Sequence, residues 1–195
     1  TLDIHGGGND LIFLHHENEI AQGSCISSKS YCNYWFHNGI VLVNKKKMSK
    51  SLGNVILVDD LLSKHSPYTI RLALLSAHYR QPLNWSDSTL SEAQKLINKF
   101  KTLSQSVSHN GDPIRLDDEI IDILSDDLNT PQAIKYLSTL AKNAKTNKKD
   151  INRLVSSASF IGIDLLSNEA SKSNLSDINH DHINNLSKQR NEARE

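Results

Sequence analysis

The chain has 195 residues, of which 37% are hydrophobic and 23% charged, a balance typical of a soluble globular protein that is long enough to bury a core. Its 22 basic and 22 acidic residues cancel, which excludes the uniformly basic surface of a stand-alone nucleic-acid binder, so that any contact with RNA must use localised basic groups. No run of about 18 apolar residues occurs, and a membrane-spanning helix is therefore not predicted.

The first 58 residues are predicted to combine short strands with glycine-rich and lysine-rich loops. A buried strand is expected over residues 2–5, directly before three glycines, and a helix follows over residues 14–22. Residues 40–43 form a second predicted strand, because a short run of β-branched residues beside Gly39 is typical of one. A loop at 44–54 comes next.

The rest of the chain has the apolar spacing of helices. Asp59 is expected to cap a short helix, and Pro67 to open the next one, because proline fits the first helical turn. Thr130, which precedes Pro131, is expected to cap a later helix. The predicted helices cover 59–64, 67–79, 88–107, 117–126, 131–145, 149–161 and 177 onward, with a break at 110–113 and a loop at 167–176.

Cys25 and Cys32 are the only cysteines. Two thiols do not make a disulfide framework, and their separation is longer than that of a zinc knuckle. The N-terminal segment has no basic stretch followed by an apolar one, so it does not have the pattern of a secretory signal. These features predict reduced, structural thiols in a cytoplasmic protein.

One segment with chemical character begins at the first strand. Asp-Ile-His-Gly-Gly-Gly-Asn-Asp at 3–10 leads to His-His-Glu-Asn-Glu at 15–19. Glycines after a strand let the backbone approach a ligand, and Asp10 is placed to accept hydrogen bonds from a ribose. His15 and Glu19 are four residues apart and share one face of a helix, which suits either a metal ion or an ordinary surface pair.

The second such segment is Lys-Met-Ser-Lys-Ser at 47–51, on the predicted loop. Lys47 and Lys50 flank a serine, and two cations on a mobile loop can meet the charge of a triphosphate and follow it as pyrophosphate leaves. A solvated loop without a ligand is the alternative, because this chain is rich in lysine and serine.

Together the two segments resemble one family. Residues 47–51 are identical to the KMSKS loop of class I aminoacyl-tRNA synthetases, and residues 3–19 resemble the stretch DIHGGGxDLxFPHHENE of the cysteine–tRNA ligases. Residues 126–133, Asp-Asp-Leu-Asn-Thr-Pro-Gln-Ala, resemble the start of the family's helical domain. Further similarities in order and spacing lie at 33–39, 76–80 and 83–84.

The resemblance implies an α/β fold followed by an all-α part. The expected domains are residues 1–58, the C-terminal half of a Rossmann-like nucleotide-binding fold; 59–87, a helical connector that contacts the tRNA stem; and 88–195, a tRNA-binding helical bundle that is truncated at its end. The first half of the nucleotide fold, with its HIGH-type motif, is expected upstream of Thr1. The strands near Ile4 and Val41 are expected to pair with strands of that missing N-terminal half.

The resemblance also implies a zinc site. Cysteine–tRNA ligases are taken to hold Zn²⁺ with two cysteines, a histidine and a glutamate, and to recognise cysteine through a zinc–thiolate bond. His15 and Glu19 match two of these ligands. Neither Cys25 nor Cys32 corresponds to the cysteine ligands, which are expected upstream.

For the nucleotide, the resemblance implies ATP with Mg²⁺ as the substrate. Lys50 is the implied ATP-binding residue and Lys47 assists it, so that both lysines serve catalysis. Gly8 and Asp10 are implied to lie near the adenosine ribose.

Further roles are implied for two histidines and two arginines. His5 and His16 are implied to line the pocket for cysteine and its adenylate as polar walls and not as metal ligands. Arg71 and Arg80 follow the KMSKS loop, in the region that contacts the tRNA acceptor stem in related enzymes. A structural salt bridge is the alternative for Arg71.

The implied function is the ATP-dependent activation of cysteine and its transfer to tRNA(Cys) in the cytoplasm. The chain alone is expected to have little activity, since half of the zinc ligands and of the nucleotide fold would lie elsewhere. Two alternatives stay open: a ligase of the mycothiol pathway that joins cysteine to an amino sugar, and a non-catalytic remnant or binding fragment.

Overall fold

The computed structural model describes residues 2–26, 29–105, 117–144, 147, 149–167, 188–189 and 192. The strands are β1 (Leu2–Gly8), β2 (Cys32–Asn38), β3 (Val41–Val43), β4 (Lys46–Lys47) and β5 (Leu83–Trp85). The helices are α1 (Glu17–Ser24), α2 (Val58–Leu62), α3 (Pro67–Leu75), α4 (Asp87–Ser104), α5 (Asp118–Ser125), α6 (Thr130–Asn143) and α7 (Lys149–Phe160). Every described element after β5 is a helix, which agrees with the predicted order of α/β followed by all-α.

β1 and β2 form a parallel two-stranded sheet in which Ile4 lies opposite Tyr34 and His5 lies opposite Trp35. The strand near Ile4 therefore has a partner within this chain on one edge. The prediction gives it partners only in the N-terminal half that is expected upstream. The sequence does not predict β2, because its aromatic residues occur on both faces and leave no clear alternation of apolar and polar positions.

The second sheet has the strand order β4–β3–β5. β3 and β4 form an antiparallel hairpin whose turn residues Asn44 and Lys45 have φ of 49° and 65°, and β3 pairs in parallel with β5. Both edges of β3 are therefore occupied within the chain, and the prediction that the strand near Val41 pairs elsewhere is wrong. The hairpin and the returning strand satisfy the backbone hydrogen-bonding groups of β3 locally.

Most predicted helices occur within a few residues of their expected positions, but their starts and ends differ. α2 begins before Asp59, which is therefore not its cap, and α3 ends at Leu75. Asn129, and not Thr130, caps α6, because its side chain accepts a hydrogen bond from the Gln132 amide. The predicted break at 110–113 lies outside the described residues, as do the loop at 167–176 and the last helix apart from Ser167, Lys188, Gln189 and Glu192.

The main core lies between α3, α4, α6 and α7. Burying each large apolar side chain there stabilises the fold by about 1.5–3 kcal/mol. Trp85 of β5 belongs to the same core, so the predicted connector and the bundle pack together. The largest fully buried side chains of this core are Leu72, Ile97, Phe100, Leu137, Leu140, Leu154 and Ile163.

None of the helices in the described ranges combines the length and the apolar character that crossing a membrane requires. The domain boundaries at 58 and 87 stay a prediction.

Candidate functional site

Three potential metal ligands, His5, His16 and Glu19, converge at β1. Their donor atoms lie within 4.8 Å of one another, and His5 Nε2 lies 2.9 Å from Glu19 Oε2. β1 supplies His5, the turn before α1 supplies His16, and the first turn of α1 supplies Glu19. We call these three residues the donor cluster.

The donor cluster has a chemical imbalance that a cation would correct. Glu19 Oε2 is buried and accepts no hydrogen bond of acceptable geometry from the described residues, although His5 Nε2 is close to it. Leaving a buried carboxylate oxygen without a donor is costly, whereas two ligands of one metal ion approach each other in this way. Tetrahedral zinc with bonds of about 2.0–2.1 Å separates its ligand atoms by about 3.3 Å. His5 Nε2 and Glu19 Oε2 are 2.9 Å apart, close to that separation, while the full set of donor atoms spans up to 4.8 Å; the three side chains are therefore candidate ligands of a metal ion.

His15, the predicted ligand, lies at the margin of the donor cluster. Its side chain is 62% exposed and its Nε2 lies 3.6 Å from Glu19 Oε1. The sequence places His15 and Glu19 on one regular helix, but α1 begins only at Glu17, and the backbone before it is kinked at Phe13, whose φ of −123° and ψ of 124° are not helical. The backbone therefore turns His16 inward as well. His15 and Glu19 stay the predicted ligand pair, and His5 and His16 are further candidates.

Both cysteines lie outside the donor cluster. Cys25 is exposed and its Sγ donates to Ala21 O, whereas Cys32 is buried and its Sγ donates to Tyr34 O. The described residues thus offer nitrogen and oxygen ligands at this site.

Two residues of β2 that belong to neither sequence motif, Trp35 and His37, complete the site. His37 Nε2 forms a hydrogen bond of 2.8 Å with His16 Nδ1, which leaves His16 Nε2 available. The Trp35 ring lies 5.0 Å from the ring of His5 and 5.1 Å from that of His16, between centroids. Because side chains two apart on a strand share a face, the spacing of Trp35 and His37 would identify them once β2 is known to be a strand.

The surroundings of His16 favour its neutral form. Burial lowers the pKa of His16, and the nearby His5 and His37 lower the pKa further. Neutral imidazole is the form that binds a metal ion.

The glycines at the end of β1 allow close packing around the site. A Cβ atom on Gly7 would lie 2.9 Å from His16 Cε1 and 2.9 Å from Leu11 Cδ1, and one on Gly8 would lie 2.5 Å from Asp10 Oδ1. A side chain on Gly7 would displace the buried ring of His16, whereas one on Gly8 would require only that the exposed carboxylate of Asp10 move.

The two segments singled out in the sequence meet at Asp10. Lys47 Nζ lies 3.1 Å from Asp10 Oδ2, with both side chains more than half exposed. The hydrogen bond and the charge of Lys47 lower the pKa of Asp10, which keeps the carboxylate ionised. The lysine-rich loop therefore lies against the turn that follows β1.

The loop itself is closed by Asn54. Its Oδ1 accepts from Ser49 N at 2.9 Å and its Nδ2 donates to Lys47 O at 3.1 Å. Gly53 ends the short 3₁₀ turn Lys50–Leu52 with a φ of 63°, a conformation that glycine adopts readily. Lys50 is exposed and its ammonium forms no ion pair with the described residues.

The two arginines predicted to contact tRNA have different environments. Arg80 is paired with Asp127, its Nε lying 2.7 Å from Asp127 Oδ2. Arg71 is exposed and forms no ion pair within the described ranges, so the structural salt bridge considered for it is not found there. Its guanidinium lies against Gly162, where an added Cβ would approach Arg71 Nη1 to 2.9 Å.

Comparisons with known proteins agree with the sequence motifs. The model of the tRNA synthetases class I (C) catalytic domain matches residues 1–95, and that of the DALR domain matches residues 119–165. The cysteine–tRNA ligase of Parvibaculum lavamentivorans is 45% identical over 83% of this chain and 36% of its own length. Those of Wolbachia pipientis wMel and Rickettsia bellii are 44% and 41% identical, over 95% and 100% of this chain and 42% and 43% of their own lengths. The chain thus spans less than half the length of these relatives.

Among solved structures, the LeuRS of Agrobacterium radiobacter K84, in a ternary complex with tRNA and LeuAMS, matches 82% of this chain and 25% of its own with a TM-score of 0.50. The sequence identity is 19%, so this similarity supports the fold alone. Catalytic and helical domain models, relatives above 40% identity and a shared fold agree: the chain belongs to the cysteine–tRNA ligase family of class I aminoacyl-tRNA synthetases.

Proposed function

We propose that this chain provides the phosphate-binding lysine loop and part of the zinc site of a cysteine–tRNA ligase. In that reaction the carboxylate of cysteine attacks the α-phosphorus of ATP, pyrophosphate leaves, and the cysteinyl group of the adenylate then passes to tRNA(Cys). The observation that carries the proposal is the contact between Lys47 and Asp10, since it joins the lysine loop to the strand end where ligands of α/β folds bind.

The loop residues suit phosphate chemistry. Lys50 is exposed and unpaired among the described residues, so its ammonium is available to the phosphates of ATP, which enters with Mg²⁺. Lys47 is held by Asp10 in this structure. A phosphate that attracts Lys47 would free Asp10 to accept hydrogen bonds from the ribose. Both lysines would then stabilise the charge that develops on departing pyrophosphate.

Glu19 and a histidine would hold the zinc ion together with the two cysteines expected upstream. His15 is the histidine that the motif predicts, and His5 and His16 of the donor cluster are the further candidates. When bound, the zinc ion provides a position for the thiolate of cysteine, a softer ligand than the hydroxyl of serine. Shape alone distinguishes such similar substrates by only about 1–3 kcal/mol, so the choice of ligand chemistry matters.

Neighbouring aromatic residues orient the cluster. His37 holds Nδ1 of His16 by a hydrogen bond and so fixes the orientation of that ring. Trp35 stacks between Tyr31 and His37, with ring centroids 5.8 Å and 5.9 Å away, and packs against His5. These rings exclude water from one side of His5 and His16.

An exposed apolar face on β1 and β2 indicates that another part of the protein covers these strands. Ile4 is 68% exposed and Tyr34 is 71% exposed, although parallel sheets are normally covered on both faces. The relatives are more than twice as long as the region that this chain matches. We infer that β1 and β2 belong to a Rossmann-like fold whose N-terminal half covers this face.

The remaining partner in the proposal is tRNA(Cys), bound by the connector and the helical bundle. Arg71 is the better placed of the two predicted arginines, because its guanidinium has no acidic partner among the described residues. The proposed compartment is the cytoplasm, where thiols such as exposed Cys25 remain reduced.

The test is cysteine-dependent exchange between ATP and pyrophosphate. The chain alone is expected to show little exchange, and the chain combined with the N-terminal part of the Wolbachia relative is expected to restore it. Lys50→Ala in the combined protein should reduce exchange, whereas Lys29→Ala, outside both segments, should not. No exchange by the combined protein, despite zinc and a folded state, would contradict the proposal.

The acceptor distinguishes the alternatives. Transfer of labelled cysteine to tRNA(Cys) is expected from the combined protein. Transfer to an amino sugar instead would favour the mycothiol-type ligase, and binding of ATP without any transfer would favour a non-catalytic fragment.

A further inference from the structure

The carboxylate of Asp127, in the loop between α5 and α6, accepts several hydrogen bonds from one short segment. Arg80 donates from Nε to Oδ2 at 2.7 Å and from Nη2 to Oδ1 at 3.1 Å, and Tyr79 donates its hydroxyl to Oδ1 at 2.6 Å. His78 Nε2 lies 2.8 Å from the Asp127 carbonyl oxygen. Arg80 and Asp127 are each about half exposed, but a two-pronged guanidinium contact that shares its acceptor with a hydroxyl is stronger than an isolated surface pair.

The backbone of the same segment contacts the catalytic part of the chain. Gly39 N donates to Tyr79 O at 2.6 Å, and Asn9 Nδ2 donates to Arg80 O at 3.5 Å. The Tyr79 ring stacks on Phe36 of β2, with ring centroids 4.5 Å apart. The Tyr79 hydroxyl and the Arg80 guanidinium therefore reach the helical bundle, while the Tyr79 ring and the carbonyl groups of both residues contact β2, Gly39 and the turn after β1.

Asp127 itself is held in a defined position. Asp127 and Leu128 have φ of 49° and 55°, a left-handed conformation that non-glycine residues keep only where their surroundings stabilise it. α6 begins directly afterwards, capped by Asn129, and Thr130 Oγ1 donates to Ala77 O at 3.5 Å. The loop is thus tied both to α6 and to the segment it contacts.

We propose that Asp127 is a positioning residue for the nucleotide site: by holding Tyr79 and Arg80, it keeps their carbonyl groups against Gly39 and Asn9. Asn9 lies directly before Asp10, the residue that contacts Lys47 of the loop. Asp127 touches no reacting atom and acts through this segment. That this site binds a nucleotide rests on the proposed function. The connection between the bundle and the turn after β1 rests on the contacts described above.

Hydrogen exchange of backbone amides, measured on the full chain without nucleotide, tests the connection. Asp127→Asn is the informative change, because asparagine tolerates the left-handed conformation and removes only the charge. The Gly39 amide is expected to exchange about tenfold faster in Asp127→Asn. The amide of Leu137, inside α6, is expected to be unchanged. Asp122→Asn on α5, which removes an equal charge from a residue without a described partner, is the control and should alter neither amide.

Coupling between the partners gives a second measurement. If Arg80 and Asp127 act together, Arg80→Gln should accelerate Gly39 exchange similarly, and the double variant should exchange little faster than either single variant.

If Asp127→Asn does not fold, Tyr79→Phe provides the test instead. It removes one hydroxyl contact, keeps the ring stack and should accelerate Gly39 exchange about threefold. An unchanged Gly39 rate, or equal acceleration at Gly39 and Leu137, would overturn the proposal, since the second result indicates general destabilisation.

Nucleotide affinity separates this inference from the proposed function. ATP binding to the combined protein is expected to weaken in Asp127→Asn and to be unaltered in Asp122→Asn. If the unchanged protein binds no ATP, the proposed function fails while the exchange result still decides the connection. Normal ATP affinity in Asp127→Asn, with accelerated Gly39 exchange, would overturn the positioning role.

Discussion

Replacing the donor side chains one at a time determines which histidines hold the metal ion. The sequence motif predicts His15 and Glu19, whereas the structure brings His5, His16 and Glu19 within 4.8 Å. His5→Ala and Glu19→Gln each remove one of three converging donors and leave two. Residues that only orient a metal ligand already contribute about 10–100-fold to metal affinity. The loss of a direct ligand should therefore lower the metal affinity about 100-fold or more, which corresponds to about 2.8 kcal/mol of binding free energy.

A smaller effect is expected for His15→Ala. His15 is 62% exposed and lies 3.6 Å from one oxygen of Glu19, so it is expected to contribute less than about tenfold. Its neighbour His16 is buried and fixed by His37, and His16→Ala should weaken binding as strongly as His5→Ala.

Titration with Co²⁺, followed by its visible absorption and then by competition with Zn²⁺, measures these affinities in the isolated chain. The spectrum should show nitrogen and oxygen coordination and no band from thiolate, since both cysteines lie outside the donor cluster. His65→Ala, a histidine outside the cluster, is the control. The reasoning is refuted if His15→Ala abolishes binding while His5→Ala leaves it intact.

Three further predictions concern the core, the loop and acid stability. Leu137 is fully buried, so Leu137→Ala should lower the free energy of unfolding in urea by about 2–5 kcal/mol, while Leu74→Ala, at a side chain 46% exposed, should cost much less. Asn54→Ala removes two hydrogen bonds that close the lysine loop, and limited proteolysis should cut that loop faster than in the unchanged chain. Arg80 and Tyr79 lower the pKa of Asp127 from 3.8 to about 2. Because the folded state has the lower pKa, this stabilisation is present above about pH 4 and is lost as the pH falls towards 2. Between about pH 4 and pH 2 the melting temperature of Asp127→Asn should therefore fall less than that of the unchanged chain.

Much of the fold follows from local patterns in the sequence. Pro67 and the apolar spacing of α4, α6 and α7 predict helices close to those observed, because helix starts and amphipathic faces depend on neighbouring residues. β2 is not predicted, since its pairing with β1 depends on residues some thirty positions away and its own sequence lacks alternation. The partners of β3 are likewise set by β5, which returns after two helices.

The chemical groups of the site can be read from the amino-acid sequence: the glycines after β1, the adjacent histidines with Glu19, and the two lysines of the loop. Their contacts depend on how the chain folds. The tertiary structure turned His16 inward and left His15 largely exposed, because the kinked backbone before α1 and the hydrogen bond to His37 distinguish the two neighbouring histidines. The pairing of Arg80 with Asp127 also depends on the fold. The two residues are far apart in the sequence, and only folding brings the carboxylate to the guanidinium.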